Sequence, residues 1–174
     1  MMTLIVFASL EGQTKKIARF VEQEVRRSGD APRLADLSVG AEHISLGDAD
    51  AVIAAAPVHE RRHPESFEVF LASQKHALAN VRTLLISVSL SAAFAEGIEE
   101  ARDYVVELKM RTKFEPDMVA LVAGAVRMSG YDYFQSQIVK HVVLRDHAYD
   151  PTSEEHEFTD WDALAETIAR FLDA

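Results

Sequence analysis

Residues 3–14, TLIVFASLEGQT, decide the fold of this chain. They open with an apolar run at residues 4–7, which is typical of a strand buried on both faces of a parallel sheet. A short loop of small and polar residues follows at 9–14. Residues 15–28 then carry apolar side chains at every fourth position, which predicts a helix. The sequence therefore predicts a strand, a loop and a helix in succession.

The loop between this strand and this helix has the geometry that binds a phosphate. The first N–H groups of a helix are unpaired and carry partial positive charge. Ser9 and Thr14 add hydroxyl donors, and Gly12 lets the backbone approach a ligand closely. The same residue types also cap helices that bind nothing, so both interpretations stay open. Neither G-x-x-x-x-G-K-[ST] nor G-x-G-x-x-G occurs here, and a loop built on hydroxyls suits a monophosphate held by neutral donors.

Composition bounds the class of protein. A length of 174 residues predicts a single domain, 1–174, and the hydrophobic fraction of 48% is ordinary for a globular protein. The absence of cysteine excludes disulfides and thiolate chemistry. A formal net charge of −10 argues against nucleic acid as a partner. We expect a cytoplasmic protein, since the sequence carries neither a secretory signal nor a long apolar span.

Strands and helices alternate along the rest of the chain. Further strands are predicted at 33–37, 50–56, 83–89 and 118–123, the first of them at a sheet edge. A helix is predicted from Pro64 onward and a long one over 92–112. A final helix is predicted to start at Thr159, with Asp162 in a near capping box and Trp161 in its buried stripe.

This alternation predicts a parallel sheet with right-handed crossovers and helices on both faces, a three-layer α/β sandwich. The expected strand order is 2-1-3-4-5, which places a binding crevice at the carboxyl ends of strands 1, 3 and 4. The loops at those ends begin at Ser9, Pro57 and Ser89. Residues 124–158 form an insert after the fifth strand, with a predicted helix at 133–145 and a polar part at 146–157.

Several stretches, taken in order, resemble one bacterial family. They are the Gly12-Gln13-Thr14 turn, residues 87–90, Ala-Gly-Ala-Val-Arg at 123–127, residues 131–140 and Phe-Thr-Asp-Trp at 158–161. The chain is similar to the flavodoxin-type, quinone-dependent protoporphyrinogen dehydrogenases. The resemblance implies a flavodoxin-like fold, one FMN, and oxidation of protoporphyrinogen IX by a quinone, either menaquinone or ubiquinone. It also implies loose association with the inner face of the membrane.

The loops and the resemblance together predict the cofactor site. The phosphate is expected at the first loop, and the isoalloxazine ring between the second and third loops. His59 and Arg127 are candidates for proton donation and for binding a substrate carboxylate, and no metal site is expected. The predicted cofactor-binding residues are Ser9, Leu10, Glu11, Gly12, Gln13, Thr14, Pro57, Val58, His59, Glu60, Arg61, Ser87, Val88, Ser89, Leu90 and Ser91.

Two alternatives remain at this point. His59 and His63 are interpreted as exposed loop histidines or ring contacts rather than metal ligands. A flavodoxin-like electron carrier, which docks on a redox partner protein and has no small-molecule substrate, is the alternative to an enzyme. The insert favours the enzyme, because a carrier has no need of an aromatic and aliphatic segment beside the ring.

Overall fold

The computed structural model describes residues 1–40, 44–127 and 155–174. Its main sheet is parallel, with the strand order β2-β1-β3-β4-β5. The predicted α/β architecture and strand order are confirmed. The strands are β1 (Met2–Phe7), β2 (Ala31–Asp36), β3 (Ala51–Pro57), β4 (Arg82–Ser89), β5 (Met118–Ala123), β6 (Ala125–Arg127) and β7 (Glu155–Glu157), and the helices are α1 (Gln13–Arg27), α2 (Glu65–Leu78), α3 (Ile98–Thr112) and α4 (Trp161–Leu172).

Two hydrophobic cores cover the two faces of the sheet. Alternate residues of a strand point to opposite faces, so Ile5 and Leu4 of β1 belong to different cores. One core packs the sheet against α1 and α4, and the other packs it against α2 and α3. The side chains of Ile17, Val21 and Val25 are fully buried along α1, and each contributes about 1.5–3 kcal/mol by burial. These cores hold the strand ends in fixed register.

The predicted helix over 92–112 is wrong at its start. Two short 3-10 turns, at Ser91–Ala93 and Ala95–Gly97, precede α3. Phe94 between them is extended, with φ −129° and ψ 141°. A side chain at Gly97 would collide with the backbone carbonyl of Ser91, so the chain folds back closely on itself there. Helical periodicity continues through this stretch, but the close packing of the turns interrupts the helix.

The predicted start of the last helix is also wrong. Asp160, not Thr159, is the N-cap residue, and its carboxylate accepts a hydrogen bond from the N–H of Ala163 at 3.0 Å. The Thr159 hydroxyl instead donates to the carbonyl of Ala123 at 2.6 Å. Trp161 was predicted to be core, but it is partly exposed and packs against Phe20, with a ring-centroid distance of 4.9 Å.

The insert begins and ends as a two-stranded antiparallel ribbon. Strands β6 and β7 pair through Ala125 with Glu157 and Arg127 with Glu155. The predicted polar segment therefore ends in a strand. The helix predicted at 133–145 lies outside the described residues. Within the described ranges, none of the helices is long and apolar enough to cross a membrane.

Candidate functional site

A cleft opens at the carboxyl edge of the main sheet, at the ends of β1 and β3. These strands are neighbours, but β1 is followed by β2 on one side of the sheet and β3 is followed by β4 on the other. This reversal of strand order is where open α/β sheets bind ligands. The cleft holds about 560 Å³ of empty space with its open mouth included. Its lining residues are Leu10, Glu11, Gln13, Thr14, Pro57, Val58, His59, Val88, Ser89, Leu90, Gly124, Ala125 and Val126.

The loop after β1 forms the first wall. Gly12 precedes α1 with φ +97°, a left-handed conformation that favours glycine. The Ser9 oxygen accepts hydrogen bonds from the N–H groups of Gly12 at 3.2 Å and Lys15 at 3.4 Å, so Ser9 caps the helix from outside. Its own hydroxyl proton has no acceptor among the residues that the structure describes. Ser9 therefore caps the helix as a hydrogen-bond acceptor, and its hydroxyl can still donate a hydrogen bond to a ligand.

Unsatisfied polar groups collect at the start of α1. The N–H groups of Gln13 and Thr14 cannot bond within the helix and have no acceptor in the described part of the chain. Thr14 is 2% exposed, and its hydroxyl likewise has no partner there. The Gln13 carbonyl oxygen Oε1 is buried without a donor. The buried Gln13 oxygen in particular costs stability unless a ligand bonds to it.

The loop after β3 forms the second wall as a tight hairpin. The N–H of His59 donates to the carbonyl of Arg62 at 2.9 Å, and the N–H of Arg62 donates back at 3.1 Å. Glu60 and Arg61 at its tip both have positive φ, 49° and 67°. Two such residues in succession match a type I′ turn, which normally carries Asn or Gly. The tip is therefore strained and needs outside contacts to hold it.

Ion pairs supply those contacts. Arg61 pairs with Glu100 at 2.5 Å and lies over the Tyr104 ring. The Ser91 hydroxyl donates to the same Glu100 carboxylate at 2.9 Å, which joins the second loop to the third. This hydrogen bond is the main cause that lowers the pKa of Glu100, and Arg61 acts in the same direction. The two loops thus form one connected unit beside the cleft.

Arg62 continues the attachment on the other side of the hairpin. It forms two hydrogen bonds to Glu68 of α2, at 2.8 and 3.2 Å, and Arg111 of α3 adds a third at 2.9 Å. Burial alone would raise the pKa of Glu68, but the two arginines outweigh burial and lower it. Glu68 therefore stays ionised at neutral pH, and it anchors the hairpin to the helical layer.

The loop after β4 and the start of the ribbon complete the cleft. The N–H of Val58 donates to the carbonyl of Val88 at 2.7 Å, and the N–H of Gly124 donates to the carbonyl of Ser89 at 3.2 Å. Ser89 also accepts from the N–H of Ala92 at 3.2 Å. These backbone bonds bring the second loop, the third loop and the ribbon to one point. The cleft is therefore built by four segments rather than the three expected.

The structure brings most of the predicted site residues together, with exceptions. Ser87 and Ser91 do not line the cleft, because their hydroxyls bond to His63 and Glu100. Ser9, Gly12, Glu60 and Arg61 lie in the surrounding loops without lining it. Arg127 ends β6, and its side chain is outside the described part of the structure.

Residues 124–126, at the start of the insert, line the cleft directly after β5, although they were not among the predicted cofactor-binding residues. Strand β5 pairs with β4 in parallel, so its carboxyl end meets the same edge of the sheet. Gly124 permits this close approach, since a side chain there would lie 3.3 Å from Val88.

His63 does not face the cleft, and the interpretation of an exposed loop histidine is wrong for it. It is 1% exposed, and its Nε2 lies 2.9 Å from the Ser87 hydroxyl oxygen. Its Nδ1 has no partner among the described residues. Burial lowers the pKa of His63 to about 4, with Glu68 opposing and Arg111 assisting this shift. A neutral imidazole thus ties the second loop to β4. His59, by contrast, lines the cleft with a half-exposed side chain.

This buried histidine predicts a loss of stability in mild acid. Between pH 6.5 and about 4 the unfolded chain binds a proton that folded His63 does not, so stability falls as pH falls. We expect the free energy of unfolding to drop by about 2 kcal/mol from pH 7 to pH 5. Urea unfolding at both values checks this. The pH range from 7 to 5 stays above 4.5, the ordinary pKa of Glu68, so Glu68 contributes little to the change in the free energy of unfolding.

The variant His63→Gln cannot titrate, and we expect its loss between pH 7 and pH 5 to be smaller by most of that amount. The matching change at the exposed His76 of α2 serves as the control. An equal drop in stability for the parent protein and His63→Gln would contradict a buried neutral imidazole.

The chain is similar to known proteins in both sequence and fold. A family model described as flavodoxin domain matches residues 4–153, so the chain belongs to the flavodoxin domain family. A relative in Escherichia coli (strain K12) is named protoporphyrinogen IX dehydrogenase (quinone). It is 25% identical over 166 residues, which cover 95% of this chain and 91% of the relative.

Solved structures share the fold. Oxidised Flavodoxin 1 from Bacillus cereus matches with a TM-score of 0.59 and 14% identity, over 99% of this chain and 98% of that one. The Fusobacterium nucleatum flavodoxin bound to flavin mononucleotide matches with a TM-score of 0.52 and 11% identity, over 99% of this chain and 95% of that one. At such low identity these likenesses concern the fold alone.

Proposed function

We propose that this protein is an FMN-dependent oxidoreductase that oxidises protoporphyrinogen IX to protoporphyrin IX and passes the electrons to a quinone. One observation carries the proposal. Unpaired donors at the start of α1, two loops joined through Glu100, and a ribbon leading into an insert all meet at a single cleft. Membership of the flavodoxin domain family supports the flavin, and the Escherichia coli relative's name supports the substrates.

FMN is the cofactor, and the described residues fit it. The phosphate takes the N–H groups of Gln13 and Thr14 and the hydroxyls of Ser9 and Thr14. No lysine or arginine lines the cleft within the described ranges, so the donors are neutral. The buried Gln13 oxygen that lacks a donor suits a hydroxyl of the ribityl chain. The loops that follow β3 and β4 would hold the ring between them.

The protein positions the ring and the substrate. When bound, FMN would supply the redox chemistry, carrying two electrons at a time from the porphyrinogen to a quinone, so the six-electron oxidation would take three such rounds and three quinones. Val58 and Leu90 offer apolar contacts on the cleft walls. His59 lines the cleft, where its imidazole can hold a proton for the substrate or the cofactor. Arg127, at the end of β6, is the candidate for binding a carboxylate of the porphyrinogen.

The cellular setting follows from the quinone. We propose a cytoplasmic protein that touches the inner face of the membrane weakly and reversibly, since menaquinone and ubiquinone reside in the bilayer. A net charge of −10 opposes firm attachment to an anionic surface.

An electron carrier without a small-molecule substrate is the second candidate. The net charge of −10 favours it, because an acidic surface suits transient docking on a basic redox protein. Steady-state assay of the FMN-loaded protein separates the two. We expect protoporphyrin fluorescence to appear when protoporphyrinogen IX and menaquinone are both supplied anaerobically, and to depend on added FMN. An assay in which product forms no faster than in buffer would refute the enzyme proposal.

A further inference from the structure

Five side chains connect the start of α1 to the β6–β7 ribbon: Gln13, Lys16, Glu157, Thr159 and Trp161. We call this cluster the ribbon clamp. Its centre is the Glu157 carboxylate at the end of β7. Glu157 accepts hydrogen bonds from Gln13 Nε2 at 3.1 Å and Trp161 Nε1 at 2.8 Å, and it forms an ion pair with Lys16. Gln13 donates to Thr159 as well, at 3.0 Å.

The clamp joins the cofactor side of the cleft to the insert side. Gln13 lies in the first turn of α1, whose free N–H groups face the proposed phosphate. Glu157 pairs in register with Ala125, which lines the cleft. The N–H of Phe158 donates to the carbonyl of Gly124 at 3.0 Å, and Thr159 bonds to Ala123. One backbone bond to Gly124 and one bond from the Thr159 hydroxyl thus hold the base of the ribbon at the end of β5, while Glu157 fixes its side to α1.

Charge keeps the clamp closed at neutral pH. Burial would raise the pKa of Glu157, but Lys16, Trp161 and Gln13 outweigh it and lower that pKa. Lys16 is also held over the Trp161 ring, 5.3 Å from its centre. Lys16 is therefore engaged with the ribbon through Glu157 and with the Trp161 ring.

We propose that Glu157 is a positioning residue that sets the substrate wall of the cleft by holding the ribbon against α1. The proposal rests on the proposed function. Ala125 and Val126 of the ribbon line the cleft, so the orientation of the ribbon sets this wall. None of the groups proposed to hold FMN belongs to Glu157, and the Gln13 amide keeps its hydrogen bond to Thr159 when Glu157 is replaced. Substrate binding therefore depends on Glu157 more than FMN binding does.

The test compares Glu157→Gln with Glu166→Gln, both loaded with FMN. Glu166 is exposed on α4 and has no contact in the clamp, so it controls for the loss of one carboxylate. For Glu157→Gln we expect amide hydrogen exchange at 125–127 and 155–157 to quicken about tenfold or more, since local opening becomes easier. The KM for protoporphyrinogen IX should rise about tenfold, with kcat and the FMN dissociation constant changed less than about threefold.

A third readout needs no substrate. Visible circular dichroism of bound FMN reports the surroundings of the ring, and we expect Glu157→Gln to alter it and Glu166→Gln to leave it unchanged. The milder variant Trp161→Phe removes one donor to Glu157 and keeps the ring packed on Phe20, so it should give a smaller change of the same kind.

Two results would overturn the inference. Unchanged ribbon exchange in Glu157→Gln means that Glu157 does not hold the ribbon. Faster exchange with unchanged KM and unchanged dichroism means that the tie is structural only. If the parent protein itself does not turn over protoporphyrinogen IX, the proposed function fails, and exchange together with dichroism still decides the role of Glu157.

Discussion

Replacement of Thr14 by valine is expected to weaken FMN binding by about 1–3 kcal/mol, or about 5–150-fold in the dissociation constant. The Thr14 side chain is 2% exposed, lines the cleft and has no hydrogen-bond partner among the described residues. Valine keeps its shape and removes only the hydroxyl, so a charged phosphate loses one donor in a buried place. Titration of the apoprotein with FMN, followed by quenching of flavin fluorescence, measures the effect.

The same chain offers matched controls. Thr14→Ser restores a hydroxyl and should bind FMN nearly as well as the parent. Thr3→Val makes the identical substitution on β1, where the Thr3 hydroxyl is buried, unpartnered and outside the cleft. It should leave FMN affinity unchanged. Equal affinity of Thr14→Val and the parent would place the phosphate elsewhere.

Replacement of residues 128–154 by a short Gly/Ser linker is expected to lower quinone-coupled turnover by at least about 100-fold, roughly 2.7 kcal/mol in activation free energy. The insert carries aromatic and aliphatic residues within a polar stretch, and apolar groups of this kind commonly form contact surfaces. The ribbon allows this cut, since β6 and β7 pair with each other and stay attached to β5. FMN should remain bound, because its proposed ligands lie outside the deleted part.

FMN content and turnover are therefore measured on the same preparation. Retained FMN with lost turnover supports a substrate function for the insert. Retained FMN with full turnover would remove the insert from the substrate site and strengthen the carrier alternative. A linker variant carrying Thr14→Val should lose flavin as Thr14→Val alone does, because the two sites are separate.

The fold was predictable because the central strands carry continuous apolar runs. Strands β1, β3 and β4 are buried on both faces, and this burial requires apolar residues at every position. The spacing of Ile17, Val21 and Val25 likewise reports one buried face of α1. Such patterns are local, so the sequence alone contains them. The three loops at the carboxyl edge followed from the strand order.

The errors arose where a distant residue decides the local structure. Thr159 would suit a helix cap, but the Ala123 carbonyl and the Gln13 amide engage its hydroxyl. His63 reads as a loop histidine, yet Ser87 and the surrounding core bury it. In each case a tertiary hydrogen bond competes with the local preference and wins. The hydrogen-bond partner lies far away in the sequence, so periodicity and spacing cannot reveal it.

The most direct test of the account is anaerobic mixing of the FMN-loaded protein with protoporphyrinogen IX, followed by menaquinone. The visible absorbance of oxidised flavin should bleach on the first addition and return on the second, while protoporphyrin accumulates. A flavin that stays oxidised with protoporphyrinogen IX, yet is readily reduced by a chemical reductant and reoxidised by a redox protein, would contradict the enzyme and identify a carrier.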